Sequence, residues 1–449
     1  MKYQLSHSSV LGATLSILGG VLILLLGMRV VSLAFSGVWA SVVDVVFVLA
    51  GLLFICFNTN MSSLVGKKTV TTFVSVVTFI TLFSLWFGSN YVYTFYEDGH
   101  FMSMHDEHNL TYQRILAVAN ELKGGSLANA HLIALSYGQY AYTYFYSSLM
   151  YVFGGDQITH MCVWNGMHLG IMGILSVLIA NAGGITERES LRCVLLMVVL
   201  QPIFWTLSAY NRNIVGECFL LLGLLLFVKN SDSSLKLLLY LPVYGFLFYA
   251  YRLQYLLIAV ALFLFISMMS QGKKKSFNII GFFLSFVVLL YLLNTVSWAT
   301  DVGEGLNVDN YVEASNGNIV TIVLLGMIGK FPWTNVFFDD NWTYHLFVSL
   351  QAPMMLILYY YSYKLYKKRL SDFLFNPTTL CGLLLLMAGM ISSTHTTYLA
   401  VAAPMLIIGV SDVSVKTLEK SYLRLSLVYV VLSVLYYAMG LTGTGIVSH

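Results

Sequence analysis

The segment VLGATLSILGGVLILLLGMRVVSLAF, residues 10–35, decides the fold class, and Arg29 is its one charged residue. A helix needs about 20 apolar residues to cross the hydrocarbon core of a bilayer, so this run is long enough. Lys2 is the one charge ahead of it, and no small-residue cleavage pattern follows it, unlike a removable signal peptide. The segment therefore predicts a retained membrane-spanning helix.

Similar apolar runs recur along the whole chain. The 449 residues are 58% hydrophobic and 10% charged, whereas soluble domains have roughly 45–50% apolar and 25% charged residues. Because a backbone in lipid must close its hydrogen bonds within helices or a sealed barrel, runs near 20 residues favour helices. These runs predict an all-α integral membrane protein with about 13 transmembrane helices. Their bounds are 10–35, 38–57, 69–90, 157–182, 192–209, 213–228, 236–250, 253–270, 277–299, 346–363, 377–393, 397–411 and 425–443.

Basic residues cluster in alternate breaks between the apolar runs. The clusters lie at 67–68, 188–192, 229–236, 273–275, 364–369 and 416–424. The positive-inside rule makes these breaks cytoplasmic, which puts the N-terminus inside and the C-terminus outside. The chain is then one polytopic membrane domain, residues 1–449, with two large extracytoplasmic loops, residues 91–156 and 300–345.

Two hydrophobic segments within these loops, residues 131–154 and 319–329, are predicted not to cross the membrane. A crossing at either segment would invert every later loop against its charges. The first is rich in tyrosines, which favour the headgroup level, and the second is too short for a core of about 30 Å. We therefore expect interfacial or re-entrant helices in both loops.

Four carboxylates open the first extracytoplasmic loop, in YEDGHFMSMHDEHN, residues 96–109. A carboxylate at a membrane surface can act as a general base that takes a proton from an attacking hydroxyl. Asp106 and Glu107 are the first candidates for this catalytic role, followed by Asp98 and Glu97. The alternative is that these acids are solvated loop charges or partners of Arg114.

The sequence that follows these acids predicts a surface-lying amphipathic helix. From Leu110 onward, apolar residues recur at near-helical spacing with polar residues between them, until Gly124 and Gly125 stop the run. His100 and His105 lie before this helix, with His108 at its start, and imidazole with carboxylate could bind a divalent metal. HDEH lacks the HExxH spacing that puts two imidazoles on one helix face, so we predict no metal and no cofactor.

Two arginines stand at the extracytoplasmic ends of apolar segments. Arg212 lies in SAYNRNIVGE, residues 208–217, and Arg252 in FYAYRLQYLL, residues 248–257. A guanidinium presents a rigid fork of donors that suits phosphate oxygens, and Asn211 and Tyr251 flank the pair with further polar groups. These four residues are candidates for substrate binding. The alternative is an arginine paired with Glu217 or extended to ordinary lipid headgroups.

The second extracytoplasmic loop combines aromatic and acidic side chains in GKFPWTNVFFDDNWTYH, residues 329–345. Lys330, Trp333, Asp339 and Asp340 are candidates for binding a sugar, by ring stacking and carboxylate hydrogen bonds. An ordinary interfacial aromatic belt explains the same composition equally well.

The order of these features resembles the GT-C class of membrane glycosyltransferases, which includes protein O-mannosyltransferases and aminoarabinose transferases. In that class an acidic pair leads into an interfacial helix, as in HDEHNLTYQRILAVANELKGG, residues 105–125. An aromatic segment with a Phe-Gly turn follows, as in residues 137–155, and then a proline and a basic residue, Pro202 and Arg212 here. THTTYLAVAAPML, residues 394–406, is similar to a late basic-Tyr-aliphatic-Pro element, with His395 near the position of the basic residue.

The resemblance implies an inverting glycosyltransferase of the bacterial cytoplasmic (inner) membrane. It would transfer a sugar on the extracytoplasmic side, from an undecaprenyl-type phosphate or diphosphate donor to a glycan or lipid-linked glycan acceptor. An outer-loop acid would be the base, the arginines would bind the donor phosphate, and His395 would contact substrate. The pathway would be that of a surface polysaccharide such as O-antigen, capsule or lipopolysaccharide, with no nucleic-acid partner.

Two alternatives stay open. Wzy-type polymerases, which join lipid-linked repeat units, also combine many spans with large outer loops and outward arginines. A polysaccharide-lipid transporter or flippase would need polar residues along several spans and two related halves. Asp44 and Glu217 are the acids that fall inside predicted spans, and either could mark an ion path.

Overall fold

The computed structural model describes most of the N-terminal half and parts of the C-terminal half of the chain. The described residues are 7–35, 37–57, 106–154, 159–182, 212–229, 350–368 and 415–439, with 244–245, 247, 259–260, 262, 381–383, 402 and 405–406. Within them, every regular element is helical, which confirms the predicted helical class. The number of spans and their sidedness stay predictions.

The helices are labelled in chain order. They are α1 (His7–Ala34), α2 (Gly37–Phe57), α3 (Asp106–Lys123), α4 (Leu127–Ser136), α5 (Ala141–Gly154), α6 (Thr159–Ala182), α7 (Arg212–Lys229), α8 (Gln351–Lys368) and α9 (Val415–Ala438). A short 3-10 helix, Gly138–Tyr140, joins α4 to α5. The bounds of α1, α2, α6 and α7 agree within three residues with the predicted apolar segments.

α9 begins ten residues before the predicted span 425–443. The charged stretch of residues 416–424, predicted to be a break, forms its first turns. Lys, Leu, Glu and Arg are good helix formers, so these charges do not stop the helix. α9 therefore combines a charged first part with an apolar second part.

The chain divides into two compact units. The first comprises Met1–Leu191, Trp205–Lys229 and Pro242–Leu256, and the second comprises Arg192–Phe204, Asn230–Leu241 and Leu257–His449. In the first unit α1 packs on α2, α2 on α6 and α6 on α7. α5 contacts α1, α3, α4, α6 and α7, so it lies at the centre of this unit.

α1 and α2 form a tight helical hairpin, because two residues separate Ala34 from Gly37. Their backbones approach closely at Gly20 and Gly51. A Cβ on Gly20 would lie 2.8 Å from the carbonyl oxygen of Gly51, and one on Gly51 would lie 2.6 Å from that of Gly20. Small residues are therefore required where the two helices cross.

Long stripes of apolar side chains lie exposed on α1 and α9. On α1 they recur every three or four residues, which is one helix face, and each is more than half exposed: Leu11, Leu15, Leu18, Leu22, Leu26, Val30 and Leu33. The second part of α9 also exposes apolar side chains, at Leu427, Val428, Val431, Leu432, Val434 and Leu435, and Met439 follows directly after the helix. Extended apolar surfaces of this kind mark contact with a membrane or a partner.

One helical segment among the described residues is long and apolar enough to cross a membrane. It is Thr14–Ala34, with 21 residues and a mean hydropathy of 2.3. Shorter apolar helical segments are Val42–Ile55, Leu127–Ser136, Val163–Ile179 and Ile214–Val228.

In the second unit, α8 packs against α9. The hydroxyl oxygens of Tyr361 and Ser421 lie 3.0 Å apart, and the Tyr422 hydroxyl donates to the carbonyl oxygen of Leu350 at 3.5 Å. Both helices also carry buried apolar side chains, among them Leu358 of α8 and Leu418 of α9.

Candidate functional site

The acidic pair of the first extracytoplasmic loop opens a helix. α3 begins at Asp106, so Asp106 and Glu107 occupy its first turn. Carboxylates are favoured there, because the partial positive charge of a helix N-terminus attracts them. Their side chains, like Glu97 and Asp98, lie outside the described residues. The structure thus gives the backbone position of the two first candidates for the catalytic base.

α3 is the amphipathic helix that the sequence predicts. Ile115, Val118 and Ala119 are buried, whereas Asn120 and Lys123 are exposed. The helix ends at the predicted glycine pair in a Schellman motif, with the amide of Ser126 bonded to Glu121 O and that of Gly125 to Leu122 O. Gly125 has φ +78°, a left-handed conformation that glycine adopts readily.

The tyrosine-rich segment after α3 is broken into two helices and is mostly buried. α5 has 14 residues, or about 21 Å, less than a hydrocarbon core of about 30 Å. Tyr140, Tyr144 and Tyr151 are buried, and the other tyrosines of the segment are half-buried. This burial follows from the contacts of α5 with its neighbouring helices, and the headgroup level of the tyrosines stays a prediction.

Arg114 joins α3 to the tyrosine segment. Its guanidinium carbon lies 5.2 Å from the ring centroid of Tyr137 and 5.8 Å from that of Tyr144. Nη1 also donates to the Tyr144 hydroxyl at 3.3 Å. Arg114 therefore holds α3 against the tyrosine segment by cation–π contacts. The sequence suggested the nearby acids as its partners instead.

A polar cluster lies inside the first unit, where α5, α6 and α7 meet. The rings of Tyr146 and His168 have centroids 5.4 Å apart, and Trp164 lies 5.2 Å from Tyr146 and 4.6 Å from His168. Phe219 of α7 contacts Tyr146 at 5.3 Å. The imidazole thus packs against one ring of α5 and one of α6, and Phe219 of α7 extends the aromatic cluster through Tyr146.

Both ring nitrogens of His168 have partners. Nδ1 lies 2.8 Å from the carbonyl oxygen of Trp164, and Nε2 lies 3.1 Å from the Tyr146 hydroxyl. Because a carbonyl oxygen can only accept, Nδ1 carries a proton and donates it. In the neutral ring, Nε2 then accepts from Tyr146, so the tautomer follows from the hydrogen bonds.

The same region contains buried polar groups on α6 and α7. The Cys218 thiol donates to the carbonyl oxygen of His168 at 3.2 Å, which ties the two helices together. Glu217 and Asn165 are at most 1% exposed. Among the described residues, neither side chain has a hydrogen-bond partner.

Sequence reasoning named Glu217 but missed the α6 members of this cluster. The available signal was the polar pair Asn165 and His168, three residues apart in an apolar helix, since polar residues inside a span tend to be functional. Spacing along the chain could not show that Tyr146, 22 residues away from His168, completes the contact.

The remaining site candidates are placed only in part. Arg212 is the first residue of α7, and its side chain lies outside the described residues. Also outside them are Asn211, Tyr251, Arg252, Lys330, Trp333, Asp339, Asp340 and His395. In the part of the chain that the structure describes, no group of three or more His, Cys, Asp or Glu residues could hold a metal ion.

The described site thus has three parts: α3, which begins at two acids; Arg114, which lies against two tyrosines; and the buried polar cluster around His168. Comparisons with family models, with curated proteins and with solved structures find no match for this chain.

Proposed function

We propose that this chain is a polytopic glycosyltransferase of the bacterial cytoplasmic membrane, which transfers a sugar from a polyprenyl-(di)phosphate donor on the extracytoplasmic side. The observation that carries the proposal is α3, a helix that begins at two acids and packs by its apolar face on α4 and α5. The product belongs to a surface polysaccharide.

The exposed stripes of α1 and α9 support insertion in a membrane. Soluble monomers rarely expose contiguous apolar surface beyond a few hundred Å², and lipid tails solvate such a surface without cost. α1 contributes seven such side chains along its length, from Leu11 to Leu33. Its apolar segment of 21 residues, about 31 Å long, matches a hydrocarbon core of about 30 Å.

The position of Asp106 and Glu107 supports a general-base role. One carboxylate takes the proton of the acceptor hydroxyl, whose oxygen attacks the anomeric carbon of the donor. The new glycosidic bond forms as the bond from that carbon to the phosphate oxygen breaks. The polyprenyl (di)phosphate leaves with the electron pair, and the anomeric configuration inverts. Asp98 and Glu97 are the next candidates along the loop.

Arg212 supports phosphate binding, because it stands at the first residue of an apolar helix. The backbone amides of a helix N-terminus and a guanidinium both favour anions. We assign the donor phosphate to Arg212 and Arg252, with Asn211 and Tyr251 beside them. The sugar and acceptor are assigned to His395 and to Lys330, Trp333, Asp339 and Asp340 of the second loop.

The polymerase alternative uses the same chemistry with a lipid-linked repeat unit as acceptor. The transporter alternative gains one observation, the buried polar cluster around His168 and Glu217, since intramembrane polar groups often mark ion paths. One experiment separates the three functions.

The experiment compares surface-glycan ladders on a gel from a deletion strain, its parent, and strains complemented with wild-type or Asp106→Asn, Glu107→Gln genes. A normal ladder with every band shifted, or one sugar missing, supports the transferase. Collapse to a single repeat unit identifies a polymerase instead. Loss of the whole ladder points to the flippase, and an unchanged pattern in the deletion strain overturns glycosyl transfer. Membrane immunoblots verify that each variant is expressed.

A further inference from the structure

Buried polar atoms without hydrogen-bond partners among the described residues occur on both α6 and α7, which pack against each other. Glu217 is 1% exposed, and neither carboxyl oxygen has a hydrogen-bond partner among the described residues. On α6, the same holds for Trp164 Nε1 and for both amide atoms of Asn165. The bond from the Cys218 thiol to the carbonyl oxygen of His168 holds the residue after Glu217 against α6, about one helical turn from Trp164 and Asn165.

A permanently ionised Glu217 would be costly at this position. Its neighbours along α7 include Val215, Leu220 and Leu221, which are apolar and at most 2% exposed. Moving a carboxylate from water into such surroundings is strongly unfavourable, and a buried acid without a counter-charge usually becomes protonated and neutral instead. The uncharged carboxylic acid avoids this cost.

Among the side chains that the structure describes on the packed helices, no titratable group supplies a counter-charge. α5 brings Tyr146 and α6 brings His168, but these two bond to each other, and the second imidazole nitrogen bonds to the carbonyl of Trp164. α7 itself adds Cys218, which donates to a backbone carbonyl. Tyr244 bonds to the carbonyl of Leu226, nine residues or about 13 Å further along α7.

We propose that Glu217 is a reversible proton-binding site inside the first unit, with Asn165 and Trp164 as the unpartnered polar groups of the neighbouring helix α6. The ligand is a proton, which adds to a carboxylate oxygen and returns to solvent from it. Glu217 lies about 7.5 Å along α7 from Arg212, where the helix begins. A buried acid of this kind can couple a step of a membrane protein to proton uptake. The inference goes beyond glycosyl transfer and does not depend on it.

Infrared spectroscopy of the full-length protein in detergent micelles tests the proposal. A protonated carboxylic acid absorbs in a carbonyl-stretching region that ionised carboxylates leave empty. The difference between wild type and Glu217→Gln isolates the contribution of Glu217 from other acids. We expect a band at neutral pH that vanishes on alkalinisation and returns when the pH is lowered.

Three variants make the result specific. Glu217→Asp keeps a carboxyl group and should therefore keep a carboxylic-acid band at a shifted frequency. Glu121→Gln changes a half-buried acid of α3 and should leave the Glu217 band unchanged. Asn165→Leu removes the neighbouring amide and should move the pH at which the band vanishes. Gel filtration and thermal unfolding show that the variants are folded.

Two outcomes overturn the proposal. A missing band at every pH would mean that Glu217 is ionised, paired for example with Arg212. A band that persists to the highest pH at which the protein stays folded would mean a permanently protonated structural group. Because the readout is spectroscopic, it is independent of the glycan-ladder result.

Discussion

Nε2 of His168 lies 3.1 Å from the hydroxyl of Tyr146, and this contact joins α6 to α5 inside the first unit. The central helix of the unit is thereby fixed to an apolar helix by a polar bond. Such bonds are expensive to break, because a buried acceptor then loses its partner. The first prediction follows from this contact.

Tyr146→Phe should destabilise the protein by about 1–3 kcal/mol, because Nε2 of His168 loses its donor. Thermal unfolding of the purified protein in detergent measures the effect. The matched control is Tyr360→Phe, since Tyr360 is 58% exposed. Equal unfolding temperatures for Tyr146→Phe and wild type would contradict a stabilising bond.

Arg114→Ala should loosen α3, because the guanidinium loses its contacts with Tyr137 and Tyr144. We expect faster amide hydrogen exchange over residues 106–123, equivalent to about 1–2 kcal/mol. Arg114→Lys should recover part of the protection, since it keeps the charge without the planar fork. Lys123→Ala, at the exposed end of α3, is the control. Unchanged exchange in Arg114→Ala would remove Arg114 as the tie between these helices.

Asp106→Asn or Glu107→Gln should lower glycosyl transfer by about 100-fold or more, the usual range for loss of a general base. The assay is transfer from a polyprenyl-phosphate sugar by membranes that contain equal amounts of each variant. Glu121→Gln, on the same helix, should keep wild-type activity. Full activity in both variants would transfer the role to Asp98 or Glu97.

Arg212→Ala should weaken binding of the lipid-linked donor by about tenfold or more, because a charge-assisted hydrogen bond contributes about 1.5–3 kcal/mol. The KM for the donor should rise while the KM for the acceptor stays constant. Arg424→Ala, an exposed residue of α9, provides the control. If Arg212→Ala and Arg252→Ala both leave the donor KM unchanged, the phosphate assignment is wrong.

Tyr422 should ionise late in an alkaline titration. It precedes the predicted span of α9, and burial raises its pKa to about 12 from the usual 10.0. Between these values the unfolded chain has lost the proton that the folded chain keeps. The free energy of unfolding therefore keeps its full value below the Tyr422 pKa of the unfolded chain. It falls by about 2–3 kcal/mol as the pH rises to the Tyr422 pKa of the folded chain. Tyrosinate absorbance of wild type minus Tyr422→Phe measures the step, and a step near 10 would contradict the shift.

Run length and stop signals were enough to predict several helices. The apolar runs fixed α1, α2, α6 and α7, because a span has a nearly constant length, and the pair Gly124 and Gly125 fixed the end of α3. α9 begins ten residues before the predicted span 425–443, because charged residues form helices well and a helix can extend beyond an apolar run.

The candidate site was harder to predict than the helices. The sequence predicts an amphipathic helix from Leu110, whereas α3 begins four residues earlier at Asp106, where the helix N-terminus favours the two acids. The contact of Tyr146 with His168 depends on how α5 packs against α6, and neither segment encodes its partner. Polar residues in apolar helices point to such a contact but not to the residue that completes it.

The α1–α2 hairpin determines the end of the helix pair at which the chain leaves it. Two residues between Ala34 and Gly37 force the helices to run in opposite directions, and the approach of Gly20 to Gly51 keeps them side by side. His7 and Phe57 therefore emerge at the same end of the pair. In the predicted topology, where α1 and α2 are the first two spans, the hairpin returns the chain to the side of the membrane on which it entered.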